Sequence, residues 1–133
     1  MSEPQRMWEL MMQGSDELAD ELGLEAPPPI FTPERALDAV DAWLASRPEP
    51  LDEEDGARLG MLLGRVLVET HGGGLTQIAA PGHPLDGEWA ITGFQRGLAA
   101  DYHVPFVISA VRIGIDRSIS ARQWYQQTLK EGR

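Results

Sequence analysis

Residues 59–79 read Leu59-Gly60-Met61-Leu62-Leu63-Gly64-Arg65-Val66-Leu67-Val68-Glu69-Thr70-His71-Gly72-Gly73-Gly74-Leu75-Thr76-Gln77-Ile78-Ala79, and the apolar period changes in their midst. Up to Val68 the apolar side chains recur at three- and four-residue steps. Leu59, Leu62, Leu63, Val66 and Leu67 share one helix face, which Met61 and Val68 widen. Gly72-Gly73-Gly74 ends that helix, and Leu75–Ala79 resumes as a short extended run. A helix handing over to a strand in this way predicts an α+β chain. Asp52 is placed to cap the helix, with Glu53, Glu54 and Asp55 in a first turn that favours acid. Gly56, Gly60 and Gly64 lie four apart, a seam that lets another backbone approach closely. Arg58, Arg65 and Glu69 in the same helix exclude a membrane-dimer reading of that spacing.

Downstream, residues 80–87 are turn-rich, and Glu88–Phe94 alternates with Trp89 and Ile91 on one side. Gln95-Arg96-Gly97 reads as a tight turn that brings Leu98–Val104 back as a third strand. The expectation is a three-stranded antiparallel meander with one buried face. Residues 105–115 read two ways. Their β-branched content suits a fourth strand, whereas Pro105 in a first helical turn, with Phe106, Ala110 and Ile113 on one stripe, suits a helix, the preferred reading. Ser120 and Gln123 form a capping box for a last helix to about Glu131, with Ile119 and Trp124 at the staple positions.

Upstream, Thr32, Pro33 and Glu34 open a helix whose stripe is Ala36, Leu37, Val40, Trp43 and Leu44, and Arg47-Pro48-Glu49-Pro50 closes it. Ala26-Pro27-Pro28-Pro29 favours an extended polyproline II path, so residues 24–31 read as a stiff spacer. Residues 1–23 read as an N-terminal amphipathic helix. Ser2 and Gln5 have capping-box spacing, and Trp8, Met11, Met12, Leu18, Ala19 and Leu22 share a face. Gly14-Ser15-Asp16 is placed to break or kink this helix, and Gly23 to stop it. Residues 32–133 then form a single α+β domain: N-terminal helices, a three-stranded antiparallel meander and C-terminal helices. The leading helix either folds onto this domain or meets a partner.

Leu59-Gly60 with Gly64, Gly72-Gly73, Trp89 and Pro105-Phe106 together resemble a group of bacterial α+β domains of unassigned function. That pattern is a Leu-Gly-x-x-x-Gly helix ending in Gly-Gly, a short meander containing a Trp, and a Pro-Phe start to a helix. The resemblance covers about residues 59–113. The Trp that usually follows the glycines directly is absent, with Leu75 nearby instead. The resemblance implies a fold and carries no catalytic residues with it.

The chain has 133 residues, 21 acidic and 11 basic, for a net charge of −10. Residues 1–55 hold 15 acids against 3 basic residues, and residues 56–133 hold 6 against 8. Nucleic-acid binding is disfavoured, because its affinity comes largely from cations on phosphates. An acidic face suits either solubility or steering toward a basic partner. No apolar run approaches the ~20 residues of a membrane span, and the N-terminus lacks a signal peptide's pattern, so a cytoplasmic location is expected. The chain has no cysteine, which excludes disulfides, thiolate metal sites and cysteine catalysis.

His71-Gly72-Gly73-Gly74 matches the oxyanion-hole string of some esterases. There the string follows a strand and accompanies a Gly-x-Ser-x-Gly elbow; here it follows a helix and no elbow exists. His71, His83 and His103 lie 12 and 20 residues apart, without the short-range ligand pair of zinc sites. Neither metal nor cofactor is expected. Consecutive acids such as Asp52–Asp55 point in different directions on a helix and cannot all ligate one ion, and Asp38 and Asp41 read as a solvated pair. Trp8, Met11 and Met12 are the candidates for a contact with a protein partner or a second copy. Trp89, His103 and Arg112 are the candidates for a small-molecule or catalytic pocket. The leading expectation is a non-enzymatic interaction module, one version being an immunity-like protein that neutralises a basic partner.

Overall fold

The computed structural model describes residues 2–24, 32–47 and 49–133. Among them run α1 (Glu3–Glu21), α2 (Pro33–Ala45), α3 (Glu53–His71), β1 (Gly74–Gln77), β2 (Trp89–Thr92), α4 (Phe106–Ala110), and α5 (Ala121–Glu131). A π-helical turn, Val111–Ile115, continues α4 without interruption. The chain is α+β. The spacer read over residues 24–31 lies outside the described residues except for Leu24, which is buried.

The caps form where residue types place them. Ser2 and Gln5 close a capping box on α1, Thr32 caps α2, Asp52 caps α3, and Ser120 with Gln123 boxes α5. At the far end of α1, Gly23 takes φ 73° and the Leu24 amide donates to the Ala19 carbonyl at 2.9 Å, a left-handed stop that glycine enters without strain. The expected break at Gly14-Ser15-Asp16 does not occur. The Ser15 hydroxyl donates to the Met12 carbonyl at 3.0 Å and accepts from Arg65 Nη1 at 3.1 Å. The residues that looked like breakers instead face α3.

Helix α3 is the axis of the molecule. Met11 meets Gly64, Gly14 meets Met61, and Glu21 pairs with Arg58, so α1 runs antiparallel along one flank. Phe106 meets Gly64, Val107 meets Gly60 and Ile115 meets Gly56, so α4 runs antiparallel along the other. The glycine seam thus admits a helix. A Cβ on Gly60 would stand 3.4 Å from the Phe106 carbonyl oxygen and 3.6 Å from Val107 Cα. On its inner face α3 buries Leu59, Leu62, Leu63 and Leu67 completely, beside Leu37, Met11, Phe106 and Ile113. Burying each such side chain stabilises by about 1.5–3 kcal/mol.

The sheet has two strands rather than the expected three. β1 and β2 pair antiparallel from Gly74↔Thr92 to Gln77↔Trp89, and residues 98–104 add only the bridge Ile91↔Val104. The hydrogen bonds of that segment go elsewhere. The Ala99 amide donates to the Gly132 carbonyl, the Tyr102 amide closes a turn on Ala99, and the Gly93 amide reaches the Ala100 carbonyl. Gly97 at φ 77° turns the chain before a strand can start. Residues 106–115 are helical, which removes the strand alternative. Burial of Phe106, Ala110 and Ile113 against α3 outweighs the β preference of the intervening valines and isoleucines.

Candidate functional site

Met11 is fully buried beneath α1, while Trp8 and Met12 are half-buried against the core. Trp8 lines a shallow depression with Pro4, Gln5, Glu9 and Leu75, where α1 passes β1. The three residues therefore do not present one open apolar face.

His103 and Arg112 do converge. Both line a cleft of about 180 Å³ between residues 102–112 and α5, with Tyr102, Ser109, Gln127 and Glu131. Arg112 Nη2 donates to Gln127 Oε1 at 3.2 Å. His103 Nδ1 donates to the Asp101 carbonyl at 2.8 Å. Trp89, half-buried on β2, does not line the cleft.

Of the other histidines, His71 is a core residue. Its Nδ1 stands 3.0 Å from the Arg96 carbonyl, which can only accept, so the proton sits on Nδ1 and Nε2 accepts from the Tyr125 hydroxyl at 2.9 Å. Desolvation holds the imidazole below its ordinary pKa, against the opposing pull of the Arg96 carbonyl. The His-Gly-Gly-Gly string is where α3 ends at His71 and β1 begins at Gly74. His83 shares a groove with His103, but the Leu85 amide donates to His83 Nδ1 at 3.1 Å, so its Nε2 carries the proton. Among the described residues no three of His, Asp and Glu are grouped to hold a metal ion.

The acids of the first half are partly committed within the chain. Asp55 takes Arg47 Nη1 at 2.6 Å and Arg58 Nη2 at closer range, and Glu21 takes the same two guanidinium groups at 3.1 and 2.7 Å. Hydrogen bonding from Arg58 holds the Asp55 carboxyl below its ordinary range, although burial opposes it. Arg65 of α3 joins Asp16 and Glu69. Asp41 is not a solvated acid. Its Oδ1 and Oδ2 accept from the Ala121 and Arg122 amides at 2.8 and 3.2 Å, capping α5 from a neighbouring helix. Asp38, 66% exposed, stands 3.5 Å from Arg122.

A different surface remains open. Leu10 of α1 is 48% exposed, and Val107 and Ile115 of α4 and its π-helical continuation are 42% and 38% exposed, on two helices that both pack at Gly64 of α3. Glu3, Glu9, Glu17, Asp20, Glu53 and Glu54 are exposed in the same acidic half. Only Leu10's place opposite the helix stripe could have flagged this surface in advance. Among the described residues no helix is long and apolar enough to cross a membrane. No protein-family model, no curated protein and no solved structure matches this chain.

Proposed function

We propose that this chain is a non-enzymatic protein-interaction module of the bacterial cytoplasm, acidic in the manner of immunity proteins that cover basic toxins. One observation carries the reading: in a chain of net charge −10, Leu10, Val107 and Ile115 stay between 38% and 48% exposed on two helices that both pack against α3. Large apolar side chains that intrachain packing leaves open together are a mark of protein contact. Surrounding negative charge speeds encounter with a basic partner and rejects acidic ones. The rival reading, a small-molecule or catalytic site, rests on the cleft of His103 and Arg112. The cleft they share, about 180 Å³, falls below the ~300–1,000 Å³ of most ligand sites, while the larger grooves of about 500 and 660 Å³ hold His103 and Arg112 separately.

The test is crosslinking in the native cell followed by recovery of the tagged chain. A protein partner recovered in near one-to-one amount, and released by raised salt, supports the reading. Recovery of the chain alone overturns it, and a stoichiometric small molecule on that chain would move the assignment to the cleft.

A further inference from the structure

We infer that the surface between α1 and α4 seats a basic amphipathic helix of the partner, which rests on the interaction reading above. Leu10 precedes Met11 and Val107 follows Phe106, and Met11 and Phe106 both close over Gly64. Leu10 and Val107, each one residue from a side chain packed on Gly64, are both exposed. The strip continues along α4 at four-residue steps through Val111 to Ile115, whose Cδ1 lies 3.8 Å from where Gly56 would carry a Cβ. One turn apart on α3 stand Ala57, exposed, and Met61, half-buried and packed on Gly14. Two helices flanking a middle of small and half-buried residues make a trough, and a third helix is the shape that fills one.

The rim selects the partner's charge. Glu3 and Glu17 lie two turns either side of Leu10 on the same face of α1. Glu53 and Glu54 stand in the first turn of α3, and Asp116 follows Ile115; all five are exposed. Arg6 is the cation on that flank of α1 among the described residues. Five carboxylates around an apolar strip match a helix with aliphatic anchors on one face and Lys or Arg beside them. A second copy of this chain is the wrong occupant, because it would set −10 against −10.

The probe is a labelled leucine/lysine peptide of about 14 residues, long enough for about four helical turns, titrated with the full chain by fluorescence anisotropy. Its controls are a scrambled peptide of identical composition and a leucine/glutamate counterpart. The amphipathic basic peptide is expected to bind at least about tenfold more tightly than either control. Its affinity should fall severalfold as ionic strength rises from about 0.02 to 0.15 M, because screening shortens the reach of the rim charges. Leu10→Asp/Val107→Asp should abolish binding. Both positions are exposed, so an unchanged thermal melt certifies the fold of that variant. Leu10→Ala/Val107→Ala, which adds no charge, should weaken binding by at least about tenfold. Equal binding of the scrambled peptide, or unchanged binding by these variants, overturns the inference while leaving the interaction reading to its own test. So does a salt-dependent dimer formed through Leu10 and Val107. A native partner recovered by crosslinking whose contact is indifferent to both variants likewise sinks this surface alone.

Discussion

Asp41→Ala should unfasten α5 from α2. Two backbone amides at the start of α5, those of Ala121 and Arg122, donate to this one carboxylate at 2.8 and 3.2 Å. The Ser120 hydroxyl is directed at a different donor, accepting from the Gln123 amide at 3.1 Å. An N-cap deletion costs about 1 kcal/mol, and hydrogen bonds to a charged acceptor in partly buried surroundings raise the loss to about 2–3 kcal/mol. For a chain of this length each kcal/mol moves the melting midpoint by about 3–5 °C, so the drop should be roughly 6–15 °C. Asp41→Asn keeps one acceptor oxygen but turns an amide N–H toward the second donor, and should lose about half as much. Asp38→Ala is the control. It has the same charge change and the same helix, but its side chain is 66% exposed and 3.5 Å from its partner, so its cost should stay below about 0.5 kcal/mol. Circular dichroism melts of the three variants at one pH decide the matter. If Asp41→Ala and Asp38→Ala melt together, the cross-helix cap is not a fastener and the reasoning fails.

Three further outcomes are expected. Acid should destabilise the protein in two windows, because both resolved acid-side shifts are downward. The folded state keeps His71 neutral while the unfolded chain takes a proton below its ordinary value of 6.5, so stability falls as pH drops through that value. The contribution of Asp55 is present above its ordinary 3.8 and is lost as pH falls through its lower folded value. Urea midpoints at about pH 7.5 and 5 should differ in the wild type and become nearly equal in His71→Gln, whatever that variant's overall loss. Arg117 holds φ 54° and donates to the Gly114, Leu44, Arg47 and Glu49 carbonyls. Arg117→Ala should cost about 2–3 kcal/mol, and Arg117→Gly about 1 kcal/mol less because glycine relieves the left-handed backbone; the order of the two urea midpoints checks this. Met11→Ala should lose about 2–4 kcal/mol by opening a cavity over Gly64, whereas Leu10→Ala should stay within about 0.5 kcal/mol. Equal urea midpoints would put Met11 outside the core.

The amino-acid order by itself determined where the long helices start and where helix gives way to strand. Caps at Ser2, Thr32, Asp52 and Ser120 lie where hydroxyl and carboxylate side chains precede apolar stripes, because a helix start needs an acceptor within three residues and such a signal is local. The switch of period at Gly72–Gly74 was legible for the same reason. Tertiary structure decided everything that depends on which surfaces meet. Met11 shared the stripe of Trp8 and Met12 equally well on the page, and only the approach of α3 at Gly64 buried it and left Leu10 in solvent. Residues 98–104 had a strand's composition, but their amides found acceptors at Gly132 and Ala99 before an extended ladder could form. Asp38 and Asp41 were indistinguishable until α5 arrived beside one of them. The acidic first half looked like a uniform surface, yet Arg58 from the second half pairs with Asp55 and Glu21, and the first amides of α5 engage Asp41. A side chain's periodicity is set by its nearest neighbours along the chain, whereas its exposure is set by residues tens of positions away, and function at a surface follows the second.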